Sequence, residues 1–473
     1  MSCGLGQLCF RGEATVDGIT YPALAGTTQR STTCLFLTTY GKAISPMRMS
    51  PTLLLACAAL LAACSSSSDS TGSSTSTISS PAPTPVADSR GGIPPGYPLN
   101  IDVVAPLVIT TLGPDPIPVT GTDGKVHVAY ELSVLNSGSR PATITKVETL
   151  DDGPEGATVT TLEQREIVER TLLIANTSPG PVTEIPAGRT AVLVLDDVYD
   201  TRAKVPAEVT HRLTATLGKA LPEYQQTLSV RYPDSVTQIG GAVRTSAASP
   251  VVIGPPLAGD DWVAGNACCV ISPHRGAVMG VGGRLNASER YAIDWLRIDP
   301  TKSPATTHTG DGTRNEDYLA YDAPLLAVAD GTVAAVVSDN KEATPQVITP
   351  DQSFEELGGN YVIIDIGDGN FAFYAHMLPG SASVKVGDKV TRGQVIGRLG
   401  NSGNTTEAHL HFHVMRAPVP LSSDNVPFEI DRFTFVGTLV GELDGGRFVP
   451  EAKPSERTNQ LPLAWDVINF PAP

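Results

Sequence analysis

Short runs in which apolar and polar residues alternate dominate the chain after residue 99. The run from Val126 to Leu135 alternates in this way and then meets the turn sequence Asn136-Ser-Gly. A period of two predicts strands with one buried face, and regular short strands separated by turn residues favour a β-sandwich. Residues 99–235 are therefore predicted to form an immunoglobulin-like β-sandwich, with His127 and His211 as surface or packing histidines.

The second half of the chain carries dense strand patterns as well. Apolar runs begin at Leu325, Tyr361, Phe371 and Val395, and helical periodicity is almost absent. We therefore expect an all-β chain whose second β domain spans residues 266–440. A stretch rich in Gly, Ala, Ser and Pro at 236–265 is predicted to be a linker, and residues 441–473 a C-terminal tail.

A secretory signal lies inside the N-terminal region. Residues 47–63 combine a short basic start, an apolar run and small residues, and are too short for an ordinary membrane span. Leu61-Ala-Ala-Cys64 resembles a bacterial lipobox, which predicts a lipid anchor on Cys64 in the cell envelope. The alternative is an ordinary signal peptide with a chance cysteine.

The segments on either side of this signal follow from its position. A signal must lie at the N-terminus, so translation is expected to start at Met47 or Met49, with residues 1–46 as a misplaced upstream start. Residues 64–98 are rich in Ser, Thr and Pro with few large apolar residues, which predicts a disordered tether.

Charge and cysteine content restrict the partners and the compartment. The formal net charge of −16 argues against nucleic acid and against a basic membrane-binding surface. Three cysteines, Cys64, Cys268 and Cys269, remain in the predicted mature chain, in agreement with export. The adjacent pair could form a vicinal disulfide or pair between chains, and its spacing alone does not decide.

Candidate chemistry concentrates in a strand-like segment that follows the glycine-rich loop at Gly400. His409, His411 and His413 occupy alternate positions and share one face, because successive strand side chains point to opposite faces. Alternate residues lie roughly 6.5–7 Å apart, so the three cannot all bind one ion. We expect one histidine to be a metal ligand and a neighbour to act as acid or base.

Five motifs of the C-terminal domain occur in a recognisable order. They are Arg290-Tyr-Ala-Ile-Asp294, Asp330-Gly-Thr-Val, Tyr374-Ala-His376, Gly387-Asp-Lys-Val and His409-Leu-His411-Phe. In this order they resemble the lysostaphin/LytM-type zinc metallopeptidases, which cut peptide bonds in peptidoglycan. The resemblance covers residues 268–440 and implies the small antiparallel β-sheet core of that family.

The resemblance also implies roles for individual residues. Asp294 and His411 would be zinc ligands, His409 would act as general base on the water, and His376 would assist or stabilise the transition state. A catalytic zinc ion takes three protein ligands, keeps a fourth position for water and lowers the pKa of that water. Neighbouring imidazoles can then move the proton near neutral pH.

One position departs from the family pattern in a way that affects the metal site. Arg290 stands where the family has a histidine ligand, and a guanidinium has no lone pair to offer a metal. His274 is the leading substitute. A two-residue turn at Gly282-Gly283 would set it on the face away from Asp294, whereas a three-residue loop starting at Val281 would set it on the same face.

Two further histidines complete the set of candidates. His308, in a polar loop, is a poorer substitute ligand than His274. His413 stands where the family usually has Glu and is expected to support the metal site from behind the ligands.

Two functions from different classes follow. The first is an envelope-anchored zinc endopeptidase that acts on peptidoglycan peptides, with an envelope protein as a possible partner of the sandwich. The second is a non-catalytic relative that binds peptidoglycan or regulates another cell-wall hydrolase, in which Arg290 would hold a substrate carboxylate.

Overall fold

The structure is a computed structural model that describes residues 14–16, 19–21, 105–163, 165–174, 182–220, 232–441 and 445–472. The chain clusters into two units, residues 1–82 and residues 83–473. In the first unit, β1 (Ala14–Val16) and β2 (Ile19–Tyr21) pair antiparallel. The predicted signal peptide at 47–63, the lipidation site Cys64 and the tether at 64–98 lie outside the described residues.

Almost all regular structure in the second unit is β-strand, which confirms the predicted all-β class. No helix in the described part of the chain is long and apolar enough to cross a membrane. Cys268 and Cys269 are joined to each other by a disulfide bond.

The N-terminal half of this unit consists of two five-stranded sheets that share one hydrophobic core. Its elements are β3 (Leu107–Leu112), β4 (Val119–Thr120), β5 (Val126–Asn136), β6 (Ala142–Asp151), β7 (Thr158–Glu163), α1 (Arg165–Val168), β8 (Thr171–Leu173), β9 (Glu184–Ile185), β10 (Thr190–Tyr199), a 3-10 turn (Arg202–Lys204), β11 (Glu208–Leu217) and β12 (Ser235–Arg244). The first sheet has the order β3-β5-β10-β8 with β4 on β5, and the second has β12-β11-β6-β7 with β9 on β6. We call this half the sandwich; its immunoglobulin-like topology stays a prediction.

Strand β5 shows why the alternating pattern folds in this way. Val128, Tyr130 and Leu132 point into the sandwich core. The opposite face of the same strand, which includes His127 and Glu131, is buried as well. This second face is covered by the C-terminal half of the unit, so β5 is enclosed on both sides.

The C-terminal half is built on an eleven-stranded sheet. Its elements are β13 (Val251–Ile253), β14 (Gly259–Gly265), α2 (Pro273–Gly276), β15 (Val278–Val281), β16 (Arg284–Ala287), β17 (Ile293–Arg297), a 3-10 turn (Asn315–Asp317), β18 (Pro324–Leu326), β19 (Gly331–Val337), β20 (Tyr361–Gly367), β21 (Asn370–Ala375), β22 (Lys389–Val390), β23 (Val395–Arg398), β24 (Leu410–Met415), β25 (Asn425–Val426), β26 (Phe428–Ile430), β27 (Phe433–Val440), β28 (Arg447–Arg457) and β29 (Asp466–Phe470). The large sheet has the order β22-β19-β20-β21-β24-β17-β14-β29-β27-β28, with β25 on β24. Short pairs β13–β26, β15–β16 and β18–β23 lie outside it.

Two predicted segment boundaries are wrong. The predicted linker at 236–265 contains most of β12, an edge strand of the sandwich, and β14, a strand inside the large sheet. The predicted tail at 441–473 contains β29, which pairs with both β14 and β27. The small residues of 236–265 suggested irregular chain. However, Val236 and Trp262 there, and Ile468 in the predicted tail, are buried against other strands, and this burial outweighs local composition.

His127 and His211 were expected to be either surface or packing histidines, and both are buried packing histidines. His211 is fully buried, and its Nδ1 lies 2.8 Å from the Gly241 carbonyl oxygen. His127 Nδ1 lies 2.9 Å from Asp196 Oδ2. Burial lowers the pKa of His127, but the carboxylates of Asp196 and Asp123 raise it by a larger amount, so that the pKa reaches about 9.

We predict that His127 contributes stability that depends on pH. Its folded pKa of about 9 lies above the ordinary 6.5, so this contribution is fully present below pH 6.5 and is lost as the pH rises through about 9. His127→Gln should lower the free energy of unfolding by up to about 3 kcal/mol near pH 6 and by progressively less toward pH 9. Urea denaturation in the presence of EDTA measures this difference. Asp196→Asn should show the same trend, and a deficit independent of pH in both variants would contradict the prediction.

Candidate metal centre

Asp294 and His411 come together because their strands are neighbours in the large sheet. Strand β17 pairs antiparallel with β24, and Asp294 lies directly opposite His411 in the register. His411 Nδ1 is 3.0 Å from Asp294 Oδ1. Leu410, Phe412 and Val414 belong to the hydrophobic core, so the alternation of β24 places His411 on the opposite face, as expected.

His274 reaches this pair from a short helix that precedes the β15–β16 hairpin. Helix α2 begins at Pro273, and the Ser272 hydroxyl caps it by accepting a hydrogen bond from the Arg275 backbone N–H. His274 Nε2 lies 3.2 Å from Asp294 Oδ1 and 3.1 Å from His411 Nδ1.

The position of His274 differs from the one that hairpin register predicts. Val281 pairs with Arg284, so the hairpin closes with the two-residue turn Gly282-Gly283, both at positive φ. The three-residue register that would have set His274 beside Asp294 is therefore wrong. His274 is not in the hairpin at all, because Pro273 starts a helix and the chain turns back toward β17.

His274, Asp294 and His411 form a compact and buried donor set. Their nearest ring nitrogens and carboxylate oxygen all lie within 4.8 Å of one another. Burial raises the pKa of Asp294, but His274 and His409 outweigh it and hold the pKa well below its usual range. Two imidazoles and one carboxylate are donors that zinc accepts in catalytic sites, so the residues present fit the metal.

Backbone carbonyl groups orient the imidazole of His274. Its Nδ1 lies 3.1 Å from the carbonyl oxygens of both Asn266 and Ala292. Nδ1 therefore donates to these oxygens, and Nε2 is the nitrogen that faces Asp294 and His411. Burial lowers the pKa of His274, but the Asp294 carboxylate raises it by more, to about 9, so a cation bound at Nε2 takes the place of a proton. The side chain is held ready to bind a cation through Nε2.

His409 and His376 stand beside the donor set. His409 Nδ1 lies 2.9 Å from the Glu407 carbonyl oxygen, and its Nε2 lies 3.3 Å from Asp294 Oδ1. His376 Nδ1 lies 2.7 Å from the Ser402 carbonyl oxygen, and its ring centroid is 4.7 Å from that of His409. Burial, and then the charges of His409 and His411, lower the pKa of His376 far below its usual range, so the ring is neutral.

The backbone of His376 adopts a left-handed conformation that a non-glycine residue rarely takes. Its φ is 62°, and its N–H donates to the Gly358 carbonyl while its own carbonyl accepts from Gly400 N–H. Strain of this kind persists only where surrounding contacts enforce it, and it concentrates at functional sites.

Two residues support the donor set from behind. His413 Nδ1 lies 3.0 Å from His411 Nε2, and the fully buried His413 ring packs on Phe373. Asn266 donates from Nδ2 to Asp294 Oδ2 at 2.7 Å. His413 is predicted from the sequence, whereas Asn266 is not. The one local signal for Asn266 is its place directly after β14, which ends at Gly265.

Arg290 does not lie in the donor set. It sits in the turn closed by the hydrogen bond from Ala292 N–H to the Glu289 carbonyl, and its Nε donates to Glu131 Oε2 of the sandwich at 2.8 Å. His308 is also outside the set, because its ring packs against Tyr318. A second group of possible ligands is His127, Asp196 and Cys269, but the Cys269 sulfur is in the disulfide.

The donor set lies in a groove of about 780 Å³. Its wall is largely apolar, and Met279, Ile348, Phe354 and Val419 contribute to it. Neither lysine nor arginine occurs among the described residues that line it. The groove is large enough for several residues of an extended peptide beside the donor set.

Residues 317–423 match the profile of Peptidase family M23. The match contains His376, His409, His411 and His413 and begins after Asp294. The peptidoglycan DD-endopeptidase ShyC of Vibrio cholerae is 29% identical to this chain over 131 residues, which are 27% of this chain and 26% of ShyC. The peptidoglycan DD-endopeptidase ShyA of the same organism is 28% identical over 162 residues, 31% of this chain and 34% of ShyA.

The chain thus spans about a quarter to a third of the length of these two relatives. Among solved structures, the catalytic domain of lysostaphin from Staphylococcus simulans matches at 20% identity and a TM-score of 0.20. That match covers 35% of this chain and 88% of the lysostaphin domain.

We predict that Asn266→Gly weakens metal binding without unfolding the protein. Glycine tolerates the left-handed backbone of this position (φ 51°), so the substitution removes the hydrogen bond to Asp294 and adds no backbone strain. Loss of such an outer contact typically lowers metal affinity about 10–100-fold. Competition with a chromogenic zinc chelator measures the affinity. Asn459→Gly is the matched control, because Asn459 has a similar φ of 50° and is exposed. Equal zinc affinities in the Asn266→Gly and Asn459→Gly variants would refute the role of Asn266.

Proposed function

We propose that this chain, whose residues 317–423 are a peptidase family M23 domain, is a zinc endopeptidase that hydrolyses peptide bonds in peptidoglycan. The observation that carries the proposal is the convergence of His274, Asp294 and His411 at the base of a peptide-sized groove. The family match and the relatives named as peptidoglycan endopeptidases support the peptidase activity and the class of substrate.

The three donors would hold the metal, with His274 as the third ligand that Arg290 cannot be. Bound zinc supplies a Lewis acid that polarises a carbonyl group and lowers the pKa of water. Asp294, held ionised, contributes the negative charge of the donor set. His274 and His411 contribute one nitrogen each, Nε2 and Nδ1 respectively.

His409 is proposed as the general base and His376 as its neutral neighbour. His409 Nδ1 donates a hydrogen bond to the Glu407 carbonyl oxygen. The Nε2 atom of His409 is therefore the nitrogen available to accept a proton within the groove. His376 is fixed through Nδ1 by the Ser402 carbonyl and presents an uncharged ring beside His409. Because the one proton of the neutral ring is on Nδ1, its Nε2 carries a lone pair that can accept a hydrogen bond from a group bound in the groove.

Peptidoglycan lies outside the cytoplasmic membrane, so this function requires export. The predicted signal at 47–63 and the predicted lipid anchor on Cys64 are consistent with an envelope-anchored enzyme, and both stay predictions. The apolar groove wall favours contacts with the peptide backbone and small side chains rather than ion pairs with stem-peptide carboxylates.

The alternative of a non-catalytic binding or regulatory protein rested on Arg290 as a cation within the site. Arg290 instead pairs with Glu131 of the sandwich, and it is not among the described residues that line the groove. The structure therefore offers no specific observation that favours the alternative.

Zinc content and peptidoglycan hydrolysis together test the proposal. The purified protein is expected to carry about one zinc per chain, and His274→Ala, Asp294→Ala and His411→Ala should each lose it. His409→Ala should retain zinc and lose roughly two to four orders of magnitude in the rate of release of soluble peptides from purified peptidoglycan, because a general base contributes about that much. A folded protein that takes up no zinc, or hydrolysis that survives these changes, would overturn the proposal.

A swap of the ligand position tests which residue supplies the third donor. We predict that Arg290→His does not restore zinc binding to His274→Ala, because the side chain at 290 faces Glu131 and not Asp294. Elemental analysis of the single and double variants measures the outcome. Recovery of one zinc per chain in the double variant would show that position 290 can reach the metal and that His274 is dispensable.

A further inference from the structure

We propose that Glu131 of the sandwich is a positioning residue for the metal centre, so that the sandwich is a structural part of the peptidase site rather than a spacer. This inference rests on the proposed zinc function. It concerns a residue more than a hundred positions away in sequence from every proposed ligand, on the other half of the folded unit.

Glu131 lies between two arginines that flank the metal donors in sequence. Its Oε1 accepts from Arg275 Nε at 3.0 Å, and its Oε2 accepts from Arg290 Nε at 2.8 Å. Arg275 directly follows His274 on helix α2, and Arg290 precedes Asp294 by four residues. A single carboxylate therefore ties together the two segments that carry two of the three donors.

The contact is fully enclosed. The side chain of Glu131 is 0% exposed, that of Arg275 is 0% exposed and that of Arg290 is 3% exposed. Arg275 also donates to the carbonyl oxygens of Tyr130 and Leu195, on strands β5 and β10, and Arg290 donates to the carbonyl of Leu112. Both arginines are thus anchored in the first sheet of the sandwich.

The link to the donor set passes through short, named contacts. The Ala292 carbonyl, two residues after Arg290, accepts from His274 Nδ1 at 3.1 Å. This hydrogen bond selects the tautomer that exposes Nε2 to Asp294. If either arginine segment shifts, the hydrogen bond lengthens and His274 loses the orientation that metal binding needs.

Apolar packing around the ion cluster prevents the two segments from moving independently. Leu112, Val192 and Val194 of the sandwich are buried, and three partly buried residues pack against them: Ile271 before α2, and Val278 and Leu285 in the hairpin after it. The Tyr291 hydroxyl donates to the Ala129 carbonyl on strand β5. Segments 271–278 and 290–292 therefore both pack against the face of the sandwich around Glu131.

The test compares Glu131→Gln with a matched substitution elsewhere in the sandwich. Glu148→Gln is the control, because Glu148 also lies near two cations, Lys146 at 3.0 Å and Arg212 at 3.7 Å, but on the outer face of the second sheet. Glu131→Gln should lower zinc affinity at least about tenfold, and Glu148→Gln should leave it unchanged. Glu131→Asp, which keeps the charge on a shorter side chain, should recover part of the loss.

A second readout separates positioning from metal binding. Amide hydrogen exchange in the metal-free protein should accelerate at residues 275–277 and 292 in Glu131→Gln, while exchange in β11 and β20 stays at the wild-type rate. If wild-type protein binds no zinc, the proposed function fails, and the exchange measurement still decides the role of Glu131. Unchanged exchange at these residues in a folded Glu131→Gln would overturn the inference, whatever the zinc result.

Arg290→Gln keeps the inference falsifiable if Glu131→Gln does not fold. This variant keeps the ion pair of Glu131 with Arg275, which has no net charge, and removes only the contact that holds the 290–292 segment. It should fold, lose zinc affinity and exchange faster at residue 292, although Arg290 touches none of the three donors. Wild-type zinc affinity together with wild-type exchange in Arg290→Gln would overturn the inference.

Discussion

The buried cluster of Glu131 with Arg275 and Arg290 is the interaction on which the arrangement of this protein depends. Two guanidinium groups and one carboxylate are removed from water here. The free-energy cost of their desolvation is offset because each group is hydrogen-bonded to several partners. Loss of one partner from such a cluster typically costs about 3–5 kcal/mol. That is a large fraction of the roughly 5–15 kcal/mol that stabilises a typical domain. Separation of the two halves of the unit at this point would therefore cost a large part of the free energy of folding.

The same cluster explains why the proposed metal donors differ from the pattern of the family that the chain resembles. The turn before β17 directs residue 290 toward the sandwich, so a ligand at that position would point away from Asp294. Helix α2, anchored through Arg275, presents His274 in its place. Arg290 at a position where the resembled family has a ligand is thus compatible with the proposed donor set, because another segment supplies an imidazole.

Three of the five histidines at the site share one orientation. His274, His376 and His409 each direct Nδ1 at a backbone carbonyl, which frees Nε2 for the groove. His411 is reversed: its Nδ1 faces Asp294, and its Nε2 meets His413. Carbonyl groups of a rigid sheet and its loops are precise anchors, so proton positions are set by the fold rather than by solvent.

Local pattern in the sequence was sufficient for the strands and for part of the site. Alternation alone predicts β5 and the shared face of the histidines in β24, since the side-chain period of a strand is a property of the backbone. The family resemblance, carried by the order of the motifs, implied that Asp294 and His411 act together, and the antiparallel register shows that they are neighbours. The export signal and lipid anchor are likewise predictions from local sequence, outside the described residues.

Tertiary structure alone decided the rest, because it depends on contacts between distant residues. The polar face of β5 resembles a solvated face in sequence, and only the packing of the C-terminal half makes Glu131 a buried anchor. Composition predicted a linker where β14 lies, and a tail was expected where β29 lies, yet burial between neighbouring strands placed both inside the large sheet. Hairpin register was the wrong basis for locating His274, since a helix start at Pro273 and a carboxylate from the sandwich determine its position.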